Sequence, residues 1–346
     1  VSCWNTSRAT NMNSMFANGL LFNRDLSNWD VSGVTDMAYM FYNTVAFDAV
    51  DGLSNWDVSS VTTMQGMFGG SRLFNDDLTK WKLSSVTTTA EMFSGAGSFN
   101  PTDLNAWDVS SVTDTTEMFS GATIFNANIE RWDVSSVTST TAMFSLASSF
   151  NQPLWRWKVG SVTAMDYMFD SATSFDQIVG SWNTKSVQTT RNMFAFSTNF
   201  NQAIGEWDLS SVTDTRFMFN QATSFNQKLS KWDLSSVQDT RSMFRFATNF
   251  NQALGDWNTS AVTNMASMFF QANTFNSNIS AWDVSSVTSF GNMFTNARNF
   301  DQDLCAWYGQ INGLLLNTAG MFSRSGCEVF SQNHFCSYCD SNGQQV

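Results

Sequence analysis

Seven aspartates directly follow a tryptophan: Asp30, Asp57, Asp108, Asp133, Asp208, Asp233 and Asp283. If those positions stack, their carboxylates form a column, and repeated carboxylates hold Ca²⁺ in some β-helical proteins. Lys82, Lys158, Asn183 and Asn258 interrupt the column, and no glycine-rich calcium loop accompanies it. The favoured reading is structural: each carboxylate accepts backbone N–H groups at a turn.

A second group sits near the C-terminus. Cys336-x-x-Cys339, with Cys327 and His334, offers four zinc ligands. The competing reading is a disulfide framework, since Cys305, Cys327, Cys336 and Cys339 lie together at one end and Cys3 at the other, with none inside the repeats. Disulfides are favoured, and with them an oxidising, extracellular setting. Four cysteines pair among themselves, which leaves Cys3 for an intermolecular bond or a free thiol. The sequons at Asn5, Asn258 and Asn278 agree with secretion. His334 is the only histidine, and no acid–base constellation surrounds it. Glycan hydrolysis needs a unique carboxylate pair in a cleft, and the recurrent aspartates supply none. No catalytic residue, metal site or cofactor is therefore expected.

A third group departs from the repeat. Phe196, Phe217, Phe246 and Phe270 fill variable slots in four successive repeats, where other repeats carry polar or small residues. Arg191, Arg216 and Arg241 fall in one register beside them, with Arg245 close by. Arginine with aromatics is the composition of an interaction hot spot. The competing reading is partly buried phenylalanine with solvated arginine.

These residues are positioned by one motif, FNQxLxxWDVSSVTxxxxMFxxA, copied along the chain. Its tryptophan recurs at Trp4, Trp29, Trp56, Trp81 and Trp107, then every 25 residues to Trp307. A fixed period of that length marks a stacked solenoid. In the coil from Phe200 to Phe225 the expected core is Phe200, Ile204, Trp207, Leu209, Val212, Thr215, Met218, Phe219 and Ala222. Trp207-x-Leu209 alternates, which predicts a short strand. Met218, Phe219 and Ala222 are spaced as on a helical turn, capped by Ser211 or Thr213. On that reading the slot of Phe217 and the slot of Phe196 and Phe246, four residues apart in the coil, share a helix face. Coils rising by roughly 4.8 Å would make a rod on the order of 60 Å long. A valine column runs from Val34 to Val287, and asparagine follows the second phenylalanine in most coils, which predicts a ladder of stacked amides. Extra residues fall between Phe47 and Trp56, between Phe99 and Trp107, and after Trp307, where a surface loop absorbs them.

Aromatic residues reach 15% while charged residues are only 13%, so the chain is ordered. The net charge of -12 gives no basic footprint for nucleic acid and disfavours an anionic membrane surface. No apolar run is long enough to span a bilayer. The first residue is valine, as expected of a processed or incomplete chain.

Stretches such as FNQKLSKWDLSSVQDTRSMF and FNSNISAWDVSSVTSFGNMF resemble the BspA-like surface proteins, whose repeats are leucine-rich-repeat-like. The resemblance runs from about Trp4 to Phe322. It implies a secreted or surface-exposed protein of bacteria or unicellular algae, associated with adhesion and surface layers. It also implies an end-cap in DLCAWYG…MFSRSGC…FCSYC, and no catalytic residues.

The expected architecture is an α/β repeat solenoid, right-handed and leucine-rich-repeat-like. It has thirteen coils, with short parallel strands on one side and short helical turns on the other. The solenoid would span 1–322 and a cysteine-rich cap 323–346. The expected function is a non-enzymatic extracellular or cell-surface structural protein that self-assembles head to tail into fibrils. The alternative is a monomeric adhesin that binds glycan or protein through its side.

Overall fold

The computed structural model describes residues 4–48, 52–311 and 316–327. It divides into two compact units, Val1–Gln177 and Ile178–Val346. Each is a stack of coils built on the repeat.

Within a unit, neighbouring coils are joined by backbone hydrogen bonds in parallel register. In unit 2 the Thr213 N–H donates to the Gln188 carbonyl at 2.9 Å, and the Thr215 N–H to the Asp239 carbonyl at 3.1 Å. These bonds flank an isolated parallel bridge at Asp214, continued through Asp239, Asn264 and Ser289. The same column in unit 1 runs from Asn11 through Asp36, Thr63, Thr88 and Asp114. Among the described residues the parallel pairing is confined to such single-residue bridges.

The expected strand at Trp207-x-Leu209 is therefore corrected. That segment links two turns: the Trp207 N–H bonds the Ile204 carbonyl, and the Val212 N–H bonds the Leu209 carbonyl. Its apolar alternation comes from turn residues whose side chains point inward.

The helical turn is corrected as well. The segment around Met-Phe is a run of β-turns, with i→i−3 bonds such as Met218 N–H to Thr215 and Ala222 N–H to Phe219. Alternate residues donate to the next coil instead: Phe217 to Arg241, Phe219 to Met243, Gln221 to Arg245. A helix would need every one of these N–H groups to bond within its own segment. Each coil instead places two residues in the left-handed region, one before Met-Phe and one two residues after it, as at Phe217 and Gln221 or Ser242 and Phe246. Non-glycine residues there have φ between 52° and 61°. The conformation costs about 1 kcal/mol or more for a residue with a Cβ. It persists because its N–H is taken by the next coil and its neighbours close turns on either side.

The core of the coil from Phe200 is as expected: all nine side chains are buried. The two phenylalanines of a coil stack tightly, at 3.9 Å between centroids for Phe194 and Phe200 and 4.1 Å for Phe219 and Phe225. Each then stacks on its equivalent in the next coil, at 5.8 Å for Phe194 and Phe219. Tryptophans stack too, at 6.0 Å for Trp107 and Trp132 and 6.1 Å for Trp182 and Trp207. From Thr44 to Ala297 the small residue three beyond each Met-Phe is buried, and where it is polar it bonds within the wall: Thr44 and Ser71 share a hydroxyl contact at 2.9 Å, and both donate to the Phe41 carbonyl.

The one α-helix among the described residues, α1 (Cys305–Ile311), occupies the insertion after the first residues of its coil. The Asp303 carboxylate accepts the Cys305 N–H at 2.8 Å. Gln310 ties α1 to the preceding coil through the Val284 N–H at 2.7 Å and the Trp282 carbonyl at 3.3 Å. Cys305 and Cys327 are each disulfide-bonded. Cys3, His334, Cys336 and Cys339, and most of the expected cap, lie outside the described residues.

Candidate interaction surface

The aspartate column is occupied by turn formation. Asp208 accepts the Ser210 N–H at 3.0 Å and its hydroxyl at 2.6 Å. Asp283 does the same with Ser285, at 3.0 and 2.6 Å. Asp30, Asp57, Asp108, Asp133 and Asp233 each accept the N–H of the serine two residues on. The serine hydroxyl first and the N–H second hold the carboxyls of Asp57, Asp133, Asp208 and Asp283 below the usual range. Each carboxylate serves its own turn.

The three sequon asparagines are exposed. Asn5 and Asn258 accept a serine hydroxyl two residues on at 2.8 Å, so they stand in for the aspartate of the turn. Asn278 accepts the Ser280 N–H at 2.9 Å.

The Arg/Phe residues all lie in unit 2, and the structure brings most of them together. Phe196, Phe217 and Phe246 occupy left-handed corners. The two slots expected on one helix face are thus the two turn corners of the coil. Arg245 lies over Phe246 at 4.4 Å and over Phe270 at 5.1 Å, and those two rings meet edge to face at 5.4 Å. Arg241 lies over Phe217 at 5.9 Å. Phe196 is 39% exposed and makes no ring contact with the other three among the described residues.

Beside the rings runs a ladder of charge. Arg216 is bidentate on Asp214, with its nearest contact at 2.6 Å, and approaches Asp239 at 3.8 Å. Arg191 approaches Asp214 at 3.8 Å. Burial pushes the Asp239 carboxyl up, against the Arg241 N–H and the Arg241 and Arg216 guanidiniums that pull it down. Arg245 has no carboxylate partner among the described residues, and burial pushes its guanidinium down from the ordinary arginine range. Arg191, Arg216, Arg241 and Arg245 thus gather on one face of a chain whose net charge is -12.

Two polar atoms in these coils have no partner: Arg241 Nε, a donor, and Asn220 Oδ1, an acceptor, on a residue only 5% exposed. An unpaired buried polar group costs about 1–3 kcal/mol. Asn220 escaped the sequence reading because asparagine is common in this motif. Its signal was position: Asn220 shares a slot with Arg245, one residue beyond Met-Phe.

Two further features were missed. Trp155 is the fourteenth tryptophan, outside the repeated column, 48% exposed and covered by Arg156 at 4.6 Å. Tyr39 sits at a left-handed corner in unit 1 and meets Tyr42 edge to face at 5.6 Å. A Cβ on Gly66 would collide with the Tyr39 ring, and one on Gly69 would come 2.9 Å from Tyr42. The rings lean over the glycines of the next coil.

Stacked coils of one repeat, a core of aromatic columns and a surface patch define a solenoid repeat protein. The chain belongs to the family described as Mycoplasma protein of unknown function, DUF285, whose model matches residues 1–52, 47–155, 91–204, 148–247, 177–269 and 225–335. No curated protein matches it. Among solved structures it is similar to a TLR13–ssRNA13 complex, at 11% identity and a TM-score of 0.30, over 87% of this chain and 57% of that one. It is also similar to an LRR protein of Leptospira interrogans, at 8% identity and a TM-score of 0.21, over 79% of each chain. A third likeness is to the plant peptide hormone receptor RGFR1 in complex with RGF2, at 10% identity and a TM-score of 0.17, over 81% of this chain and 58% of that one. The chain thus spans little more than half of the TLR13 chain. No helix among the described residues is long and apolar enough to cross a membrane.

Proposed function

We propose that the chain is a non-enzymatic, extracellular or cell-surface scaffold that binds a partner through the Arg/Phe face of unit 2. The carrying observation is Arg245, held between Phe246 and Phe270 with no carboxylate partner among the described residues. Arginine flanked by aromatic rings is the recurrent anchor of protein interfaces. The disulfide-bonded Cys305 and Cys327 support an oxidising location. The turn-bound aspartates favour a scaffold over a metal-dependent catalyst.

End-to-end stacking has less support than binding through the side. In the last described coil α1, tied down by Gln310, interrupts the repeat before the left-handed corners resume at Gly320 and Arg324.

The test is site-specific photo-crosslinking. Phe270 is replaced by p-benzoylphenylalanine in the full chain, made by cells that produce it naturally, and adducts are identified by mass spectrometry. Position 233, in the aspartate column, is the control. Specific adducts at 270 that are missing at 233 are expected. Equal or no adducts at both would overturn the reading.

A further inference from the structure

The inference concerns what covers the Arg/Phe face, and it rests on the binding reading above. In unit 2 the corner slots and their neighbours make a ridge: Phe217, Arg241, Arg245, Phe246 and Phe270, on three successive coils. In unit 1 the second corner and the slot before it are nearly empty of side chain over three successive coils. The second corner is Gly70, Gly95 and Gly121, and the slot before it is Gly69, Ser94 and Ser120. These glycines stack directly: a Cβ on Gly95 would lie 3.7 Å from the Gly70 Cα, and one on Gly121 3.6 Å from the Gly95 Cα.

Larger side chains stand on both sides of that strip. Tyr42, in the coil before it, is 38% exposed, and Leu146, in the coil after it, is 53% exposed. Acidic groups lie along it: Glu91 and Glu117 occupy its first corners, and Asp114 the adjacent bridge. Unit 1 thus carries an acidic strip without bulk where unit 2 carries a basic ridge of rings. Both are laid on the same backbone lattice, so a ridge three coils wide meets a strip three coils wide in matching pitch.

We propose that the Arg/Phe ridge of one chain docks on the acidic glycine strip of a second copy of this chain. The aromatic rings lie on the half-buried backbone at Gly70, Gly95 and Gly121, beyond the Tyr42 ring that covers Gly69, and the guanidiniums of Arg241 and Arg245 meet Glu91 and Glu117. Two different patches are used, so the contact is heterologous and each added chain offers a fresh ridge and a fresh strip. The opposed charges set register and orientation more than raw affinity.

Sedimentation velocity on the full chain tests this, over a concentration series at low and high salt. Wild type is expected to associate, and less so as salt rises. R241E/R245E and E91R/E117R are each expected to weaken association about tenfold or more. The two variants mixed are expected to associate again, because each supplies the patch that the other lacks. That rescue also shows that both are folded. A wild type that stays monomeric up to its solubility limit, variants that associate like wild type, or a mixture that fails to recover would each overturn the proposal. If self-association fails while position 270 still crosslinks to another molecule, the binding face stands and the second copy falls as its occupant.

Discussion

The indole N–H of Trp132 donates to the Leu104 carbonyl of the preceding coil at 2.9 Å, and that carbonyl also accepts the Trp107 N–H of its own coil at 3.0 Å. A carbonyl has two lone pairs, and here one closes a turn while the other binds the neighbouring coil. The arrangement recurs in both units: Trp81 on Leu53, Trp232 on Ile204, Trp282 on Leu254, at 2.8 to 2.9 Å. It explains why tryptophan is invariant along this chain where phenylalanine would fill much of the same space.

Trp132→Phe keeps an aromatic ring but removes the donor and part of the volume. Lost hydrogen bonding and a small cavity together predict a destabilisation of about 2 kcal/mol. The measurement is the denaturant midpoint followed by tryptophan fluorescence and circular dichroism. Since each coil touches only its neighbours, the loss should be concentrated in unit 1. An unchanged midpoint would mean that the indole bond contributes nothing net.

The asparagine ladder works differently from stacked amides. The Asn226 side-chain oxygen accepts the Asn251 N–H and the Gln252 amide, both at 2.9 Å. It needs only an acceptor, which aspartate also supplies: Asp176 and Asp301 occupy the same slot, each donating its backbone N–H to the asparagine before it. Asn226→Asp should therefore cost well under 1 kcal/mol, whereas Asn226→Ala strands a backbone N–H and should cost about 1–3 kcal/mol. Thermal melts of the two variants separate the cases, and equal losses would refute the acceptor-only account.

Much of this was legible in the sequence. The inward positions were, because an apolar residue at a fixed slot in every copy has no reading other than core. Local conformation was not. Trp207-x-Leu209 alternates like a strand and Met218-Phe219 with Ala222 is spaced like a helix, but both spacings are also produced by successive turns. The deciding feature is the left-handed corner, and its residues give no signal: Glu91, Ala142, Phe217 and Gln221 all occupy it. Inter-coil hydrogen bonds force that conformation, and they belong to the stack rather than to any one segment. The Arg/Phe face was legible as composition. The orphaned Asn220 and the glycine strip became visible only once the slots were aligned in space.

Stability should depend on pH through two groups of opposite sign. The carboxyls of Asp57, Asp133, Asp208 and Asp283 are depressed on folding, so their contribution is present above the unfolded carboxyl value of about 4 and is lost as pH falls through the lower folded values. Asp170 runs the other way. Burial raises its carboxyl to about 6, so its contribution is full below about pH 4 and is lost as pH rises through 6. Asp170→Asn cannot charge, and is expected to raise stability at pH 7.5 by about 1 kcal/mol after allowance for solvent screening. It should change little at pH 4. Melting temperatures of both proteins across that range check this; a gain that is the same at both pH values would dismiss the titration.

The left-handed corners supply the last prediction. Ala142 has φ of 52°, on a lattice where the equivalent residue of another coil is Gly66. Glycine normally lowers stability by enlarging the unfolded ensemble, by about 0.4–1 kcal/mol. At a left-handed position the relief of the Cβ clash, about 1–2 kcal/mol, outweighs that loss. Ala142→Gly is therefore expected to stabilise unit 1 by up to about 1 kcal/mol. Thr141→Gly, one residue away and not among the left-handed positions, is expected to destabilise it. Chemical denaturation of the pair gives both signs in one experiment. If both glycines destabilise alike, position 142 does not adopt the left-handed conformation in solution, and the turn-built coil would have to be replaced by a helical one.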